Sequence, residues 1–380
     1  MTRSYQICTH CVMDTSDPEI QFDAQGVCNH CRDFEVQAAR RWFPNEEGRT
    51  RLQAIVEDMK QAAKGNEYDC ILGLSGGVDS SYLALKVKEL GLNPLVVHVD
   101  AGWNSELAVS NIEKIVKHCG YDLHTHVIDW EEIRDLQLAY LRAAVANQDV
   151  PQDHAFFASL YHFAIKSKIK TILSGGNLAT EGIFPQSWHG SAMDARNLKA
   201  IHRRYGKGRL KHYRTISFFQ YYIEYPLLRG MRTVRPLNYM PYDKAAAMRH
   251  LQEAIDWRPY ARKHGESLFT KFFQNHYLPV KFGYDKRRPH LASLIVSGQL
   301  SREAALAALQ EPLYDPAELE EDISYLCKKL QISRAEFDQI MAAPIHHYSD
   351  FPNWDGLYRR LKQGQGVVER LLGRRVEVYS

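Results

Sequence analysis

The run Ser75-Gly76-Gly77-Val78-Asp79-Ser80 limits this chain more than any other six residues do. It follows an apolar, strand-like stretch, Asp69-Cys70-Ile71-Leu72-Gly73-Leu74, and opens a helix-like one, Ser81-Tyr82-Leu83-Ala84-Leu85-Lys86. Two glycines at such a junction let the backbone turn sharply and aim successive N–H groups at one point. The helix behind them adds four N–H groups that lack intrahelical partners, and the positive end of its dipole. Residues Ser75, Gly76, Gly77, Val78, Asp79, Ser80 and Ser81 therefore read as a cradle for a phosphate chain. No lysine follows the glycines, so this is not a Walker A loop.

The run resembles the SGGxDS loop of the PP-loop ATP pyrophosphatases, which cleave ATP between the α- and β-phosphates. That resemblance implies a loop that holds pyrophosphate while AMP passes to a substrate oxygen.

Strand-like and helix-like segments alternate around it. Strands are expected at 71–74, 95–100, 123–128 and 171–174, with helices to 90, over 105–118, over 131–147 and over 154–167. Gly91 is placed to end the first of these helices. Such alternation implies an α/β fold, a doubly wound parallel sheet with ligands at the carboxyl ends of the strands. The phosphate loop, Asp100 and the segment Gly175-Gly176-Asn177 all fall at such ends. Before the sheet, apolar residues Leu52, Ile55, Val56 and Met59 recur at helical spacing in a charged stretch from Arg40 to Lys64. After Tyr242 the chain reads as mainly helical, with helices from Ser301, over 318–329 and over 334–341. The organisation expected is a ribbon over 1–34, a helical linker over 35–66, a PP-loop domain over 67–241 and a helical region over 242–380.

Four of the seven cysteines form one pattern, Cys8-x2-Cys11 and Cys28-x2-Cys31. Two such knuckles at this separation match a zinc ribbon, with four thiolates closing a tetrahedral shell around a structural Zn2+. His10 and His30 sit inside the knuckles as alternative ligands. Net charge is only +3 on 380 residues, which weighs against a dedicated nucleic-acid binder. No apolar run reaches the roughly 20 residues of a membrane span, and the first residues lack a signal-peptide core. The expected location is the cytoplasm, where thiols stay reduced.

ATP chemistry needs Mg2+, which takes carboxylate and phosphate oxygens. Asp79 is the first candidate ligand. Glu181 is the second, although a carboxylate there also suits the start of a helix. His98 and Asp100 end a strand beside the expected adenosine site, with His98 reading as a packed strand residue rather than a base. A cationic stretch from Arg196 to Arg209 suits either a solvated helix face or an anion site. Further cations, Lys263, Lys271, Lys286 and Arg287, lie among Trp, Tyr and Phe residues and are candidates for clamping phosphate charge.

The opening Cys8-Thr9-His10-Cys11-Val12-Met13-Asp14-Thr15-Ser16-Asp17-Pro18, the SGGxDS loop and the Lys263-His264…Glu266-Ser267 and Asp285-Lys286-Arg287 blocks together resemble the N-acetyl sugar amidotransferases of bacterial surface-polysaccharide biosynthesis. The resemblance runs over roughly residues 5–345. It implies conversion of an acetamido group on a sugar or nucleotide sugar to an acetamidino group, with ATP, Mg2+ and ammonia. Asp79, Glu181, Lys263, Lys286 and Arg287 are the catalytic candidates. Gly175, Asn177, His98 and Asp100 join the phosphate loop as nucleotide-binding candidates. No glutaminase is evident in this chain, so the resemblance implies a separate glutaminase subunit with a cyclase-like ammonia-channel partner. A tRNA-thiolating PP-loop enzyme is the competing reading. A zinc-ribbon scaffold with an inactive nucleotide fold is the non-enzymatic one.

Overall fold

The computed structural model describes residues 4–260 and 266–372, with side chains to residue 365. Five parallel strands form one sheet: β1 Cys70–Gly73, β2 Pro94–Asp100, β3 Asp122–Val127, β4 Thr171–Leu173 and β5 Arg232–Val234. Their order is β3-β2-β1-β4-β5. Helices α1 Asn29–Arg41, α2 Glu46–Ala62, α3 Val78–Glu89, α4 Glu106–Cys119, α5 Trp130–Ala143, α6 Val150–Lys166, α7 Leu178–Glu181, α8 Ala195–Tyr205 and α9 Lys244–Ile255 surround it.

β1 is apolar and buried throughout, as a strand covered on both faces is. Its side chains alternate between two cores. Cys70 and Leu72 pack with Val96, with Leu52, Val56 and Met59 of α2, and with Leu83 of α3 and Leu251 of α9. Ile71 packs the other way, with Leu95 and Val97 and with Leu160 and Phe163 of α6. Each such aliphatic side chain contributes roughly 1.5–3 kcal/mol when fully buried. β2 and β3 lie on one side of β1, β4 and β5 on the other. The order in which strands are added therefore reverses between β1 and β4, and the crevice of such a sheet opens there.

Sequence expectations differ from the structure in several places, and the helix expected over 131–147 ends at Ala143. The stretch from Arg40 to Lys64 is not one helix: α1 ends at Arg41 and α2 starts after Asn45, whose Oδ1 accepts from Gly48 N at 3.1 Å. β5 was not anticipated, because three residues within a basic and aromatic stretch carry little strand signal. Helix α9 lies beyond residue 241 yet packs into the sheet core.

The C-terminal region holds α10 Leu268–Phe272, α11 Leu278–Phe282, α12 Arg287–Val296, α13 Arg302–Gln310, α14 Pro316–Leu330, α15 Arg334–Ala342 and α16 Asp355–Leu372. Ser301 caps α13 by accepting from Ala304 N at 3.1 Å. The N-terminal ribbon docks on α12 and α13. Its cysteines, Val12 and Met13 share a core with Ala292, Ala305 and Ile183. Arg302 donates to the carbonyls of Cys8 and Cys11, and Arg288 to the carbonyl of Val12. Among the described residues, no helix is long and apolar enough to cross a membrane.

Candidate active site

The phosphate loop lies where the sequence places it, between β1 and α3 and at the switch point of the sheet. Its hydroxyls fold into the cradle. Ser75 Oγ accepts from Gly77 N at 3.3 Å and lies 3.1 Å from Ser80 Oγ, which in turn accepts from Ser75 N at 3.3 Å. One of these oxygens, Ser75 Oγ, takes up the Gly77 N–H, a backbone donor of the kind that holds an anion in such a nest.

Asp79, in the first turn of α3, is a hub. Its Oδ1 accepts from Tyr242 Oη at 2.5 Å, Asn177 Nδ2 at 3.1 Å and Thr180 Oγ1 at 3.4 Å. Burial raises the Tyr242 pKa strongly, and the neighbouring Asp79 carboxylate adds to it, so the phenol stays a donor. Asn177 also caps α7, accepting from Thr180 N at 2.9 Å. Gly175 explains how the two loops come so close. A Cβ built there would lie 2.9 Å from Ser80 N and 3.0 Å from the Asp79 carbonyl carbon.

His98 and Asp100, at the carboxyl end of β2, act on the loop framework. His98 Nδ1 donates to the Leu74 carbonyl at 2.8 Å, just ahead of the phosphate loop, and Nε2 accepts from Asn104 Nδ2 at 3.0 Å. Asp100 Oδ1 accepts from the same Asn104 amide at 3.1 Å and from Gly102 N at 2.7 Å.

A cavity of about 630 Å3 adjoins this edge, walled by α7, α12 and the ribbon side of α1. Asn177, Glu181, Arg235, Lys286, Phe184 and His30 line it. A Cβ on Gly176 would lie 3.5 Å from a Glu181 oxygen and 3.7 Å from Arg235 Nε, so this carboxylate and this cation flank one glycine. Lys286 is 7 % exposed. Its Nζ lies 2.6 Å from His189 Nε2 and 4.8 Å from the Phe184 ring centre. Burial, reinforced by the Lys286 charge, holds the His189 pKa well below its usual value, so the neutral ring accepts from the ammonium. Asp153 of α6 faces the same charges. Burial pushes its carboxyl up to about 8, with Asp149 and Glu181 adding to the shift and Lys286 opposing it. On the ribbon side, Asp17 joins His30 Nε2 and Ser187 Oγ, each at 2.6 Å.

The structure thus gathers Asp79, Gly175, Asn177, Glu181 and Lys286 around one edge. It sets Arg287 apart. That guanidinium pairs with Asp285 at 2.7 Å and donates to the carbonyls of Ala308, Leu309 and Glu311, so it ties α12 to α13 instead of facing the cavity. Lys271 likewise pairs with Glu318 and Asp322. Lys263 lies outside the described residues. In the cationic stretch, His202 bonds Asp135 at 2.8 Å, which also accepts from Lys207 N and Gly208 N; α8 is docked there on α5.

The four knuckle cysteines are buried and their sulfurs lie within 4.8 Å of one another. Neighbouring Sγ atoms are 3.6, 3.7 and 3.9 Å apart. Four thiolates about 2.3 Å from a tetrahedral ion stand about 3.8 Å apart, so the set fits Zn2+. Backbone N–H groups of Cys11 and Cys28 point at Cys8 Sγ, at 3.4 and 3.3 Å, and would support a thiolate there. His30 is not needed as a ligand, since Asp17 holds it.

Tyr242, Thr180, Arg235, His189 and Asp153 were not anticipated. Arg235 follows β5, and locating it required that strand. Thr180 lies between Asn177 and Glu181 in the segment already singled out; Tyr242, His189 and Asp153 reach the site from distant segments, and no local motif marks them.

No curated protein matches the chain. Among solved structures, an NMN synthetase from Francisella tularensis is 11 % identical over 76 % of this chain and 96 % of that one, with TM-score 0.37. A NAD+ synthetase from Burkholderia pseudomallei is 18 % identical over 60 % and 98 %, with TM-score 0.28. The U34-tRNA thiolase NcsA from Methanococcus maripaludis, solved with its [4Fe-4S] cluster, is 13 % identical over 78 % and 88 %, with TM-score 0.34. The fold class follows from this chain's own strand order and loop positions. Residues 266–364 match the family described as LPS biosynthesis protein WbpG-like, C-terminal domain, so this part of the chain is similar to that domain.

Proposed function

We propose that the chain is an AMP-forming, ATP-dependent amidotransferase that converts an acetamido group on a lipopolysaccharide sugar to an acetamidino group. The observation that carries this reading is the continuity of one wall. Asn177 and Thr180 bond Asp79 of the phosphate loop, and Glu181 follows them into a cavity that also holds Lys286. A phosphate grip and a sugar-sized, polar cleft thereby share an edge.

ATP supplies the adenylyl group and Mg2+ screens the phosphate charge. Ser75 to Ser80 and the α3 N-terminus hold the departing pyrophosphate. Asp79 and Glu181 offer the carboxylate oxygens for Mg2+. The amide oxygen of the sugar attacks the α-phosphorus and the bond to pyrophosphate breaks. Ammonia then adds to the amide carbon, a proton is lost, and the C–O bond breaks to release AMP. Lys286, desolvated and fixed by neutral His189, stabilises the phosphate charge during both displacements. Ammonia comes from a separate glutaminase subunit with a cyclase-like channel partner. Cys8, Cys11, Cys28 and Cys31 hold a structural Zn2+ that fixes the cavity wall.

Thiolation of a tRNA base would share the adenylation step. The cysteine positions favour amidotransfer. Cys70 and Cys119 lie in the sheet core, Cys327 lies among the C-terminal helices, and all seven cysteines are buried. The test is incubation with ATP, Mg2+, an ammonium salt and acetamido sugars, read by mass spectrometry. Replacement of O by NH lowers the sugar mass by about one unit while AMP and pyrophosphate form. Formation of ADP and orthophosphate would remove this reading.

A further inference from the structure

The peptide between Gly76 and Gly77 is the least restrained one in the phosphate loop, because neither residue has a Cβ to oppose its rotation. Gly76 has φ +84°. Its carbonyl points out of the cradle and accepts from Tyr260 Oη at 3.0 Å and from Trp257 Nε1 at 3.3 Å. The N–H on the other side of that peptide, Gly77 N, points inward to Ser75 Oγ at 3.3 Å. A trans peptide sets its C=O and following N–H in opposite directions. Donors that hold the oxygen outward therefore hold the N–H inward, toward the position of the phosphates.

The two donors are themselves fixed. Trp257 is 1 % exposed, and its ring meets that of Tyr260 edge-on, with centres 5.7 Å apart. Between them, Arg258 is gripped through its backbone. Asn111 of α4, fully buried, donates to the Arg258 carbonyl at 2.9 Å and accepts from Arg258 N at 3.0 Å. Past the cradle the chain is stitched again, as Ser105 N donates to the Glu266 carbonyl at 2.9 Å. Gly76 also has no spare space, since a Cβ there would lie 3.0 Å from the Ala108 carbonyl and 3.2 Å from Tyr260 Oη.

We infer that Trp257 and Tyr260 are positioning residues for the pyrophosphate end of ATP: they lock the Gly76–Gly77 peptide with its amide facing the phosphates and its carbonyl turned away from them. A carbonyl dipole turned onto an anion repels it, and between two glycines that rotation meets little steric resistance. The inference rests on the phosphate reading of the loop proposed above. It assigns part of that grip to residues about 180 positions downstream, outside the strand–loop–helix unit.

Calorimetry on the full chain tests it, with magnesium pyrophosphate and AMP as separate probes. Tyr260→Phe keeps the ring and removes one O–H. Trp257→Phe removes the indole N–H, and the double variant removes both. Each lost bond should weaken pyrophosphate binding about fivefold, and the pair more than tenfold. AMP affinity should stay unchanged, and the unfolding midpoint of Tyr260→Phe should fall by no more than the few degrees that one lost hydrogen bond costs. A double variant that binds pyrophosphate like the parent overturns the inference. So does an equal loss for both probes, which marks general loosening. A parent chain that binds no pyrophosphate overturns the phosphate reading itself, and this is seen before any variant is made.

Discussion

Asn177 donates from Nδ2 to Asp79 Oδ1 at 3.1 Å, joining two loops that are 98 residues apart in the sequence. The bond crosses the point where the strand order reverses, between the carboxyl ends of β1 and β4. It fixes one carboxylate oxygen of Asp79 by donors from the second loop and from Tyr242. The orientation of the carboxylate is thus set by the fold before any nucleotide arrives.

Gly175 tests how tightly this contact is built. An alanine Cβ would press on backbone atoms of Ser80 and Asp79, at 2.9 and 3.0 Å, and backbone cannot swing aside. Gly175→Ala should cost about 1–3 kcal/mol of stability and lower ATP-dependent turnover. Gly356→Ala is the control, because nothing lies within 4 Å of a Cβ there. Urea unfolding and nucleotide turnover of the two variants check this; equal behaviour would contradict it.

Lys286 and Arg287 are adjacent and should fail differently. Removing the buried charge in Lys286→Met should lower kcat by about 100- to 1,000-fold, as loss of a charge-stabilising donor does, with little change in the KM for ATP. Arg287→Ala should instead lower stability by about 1–3 kcal/mol, since it releases the carbonyls of Ala308, Leu309 and Glu311. Steady-state kinetics beside thermal unfolding separates the two effects.

The contrast between these two cations shows where sequence reading stops. The placement of the glycine-rich loop, of Asn177 and of the four cysteines was legible because it is set by spacing within a short segment. Gly91 was legible too, and it ends α3 with φ +65°. Arg287 misled because a sequence displays a charge but not the carbonyls that consume it. Tyr242, His189 and Asp153 were hidden because each reaches the site through a long-range packing contact, and β5 because three residues do not make a period.

The ribbon should contain one Zn2+ per chain by elemental analysis. Its removal by chelation, or Cys8→Ser, should lower the unfolding midpoint, because Arg302 and α13 dock on the knuckle carbonyls. Iron in place of zinc, with visible absorbance, would contradict the assignment; an iron–sulfur cluster spreads its four thiolates over separate irons, wider than the 3.6–3.9 Å seen here.

His154 should make the fold sensitive to acid. It is fully buried, donating from Nδ1 to the Ala192 carbonyl at 2.9 Å and accepting at Nε2 from Ile216 N at 3.1 Å, which only a neutral ring can do. Burial lowers its pKa from 6.5 to about 4. The unfolded chain therefore takes up the proton first as pH falls. The neutral ring contributes fully above about 6.5, and up to roughly 3 kcal/mol is lost by about pH 4. Urea unfolding of parent and His154→Gln at pH 7 and pH 4.5 checks the sign. The stability gap between them should narrow in acid; a constant gap would contradict it.

The most direct test of the proposed chemistry follows one atom. A sugar substrate carrying 18O in its acetamido carbonyl is turned over with ATP, Mg2+ and ammonium, and the products are read by mass spectrometry. One 18O per turnover should appear in the phosphate of AMP while the sugar gains nitrogen in its place. Label retained in the sugar, or found in orthophosphate, would contradict adenylation of the amide oxygen.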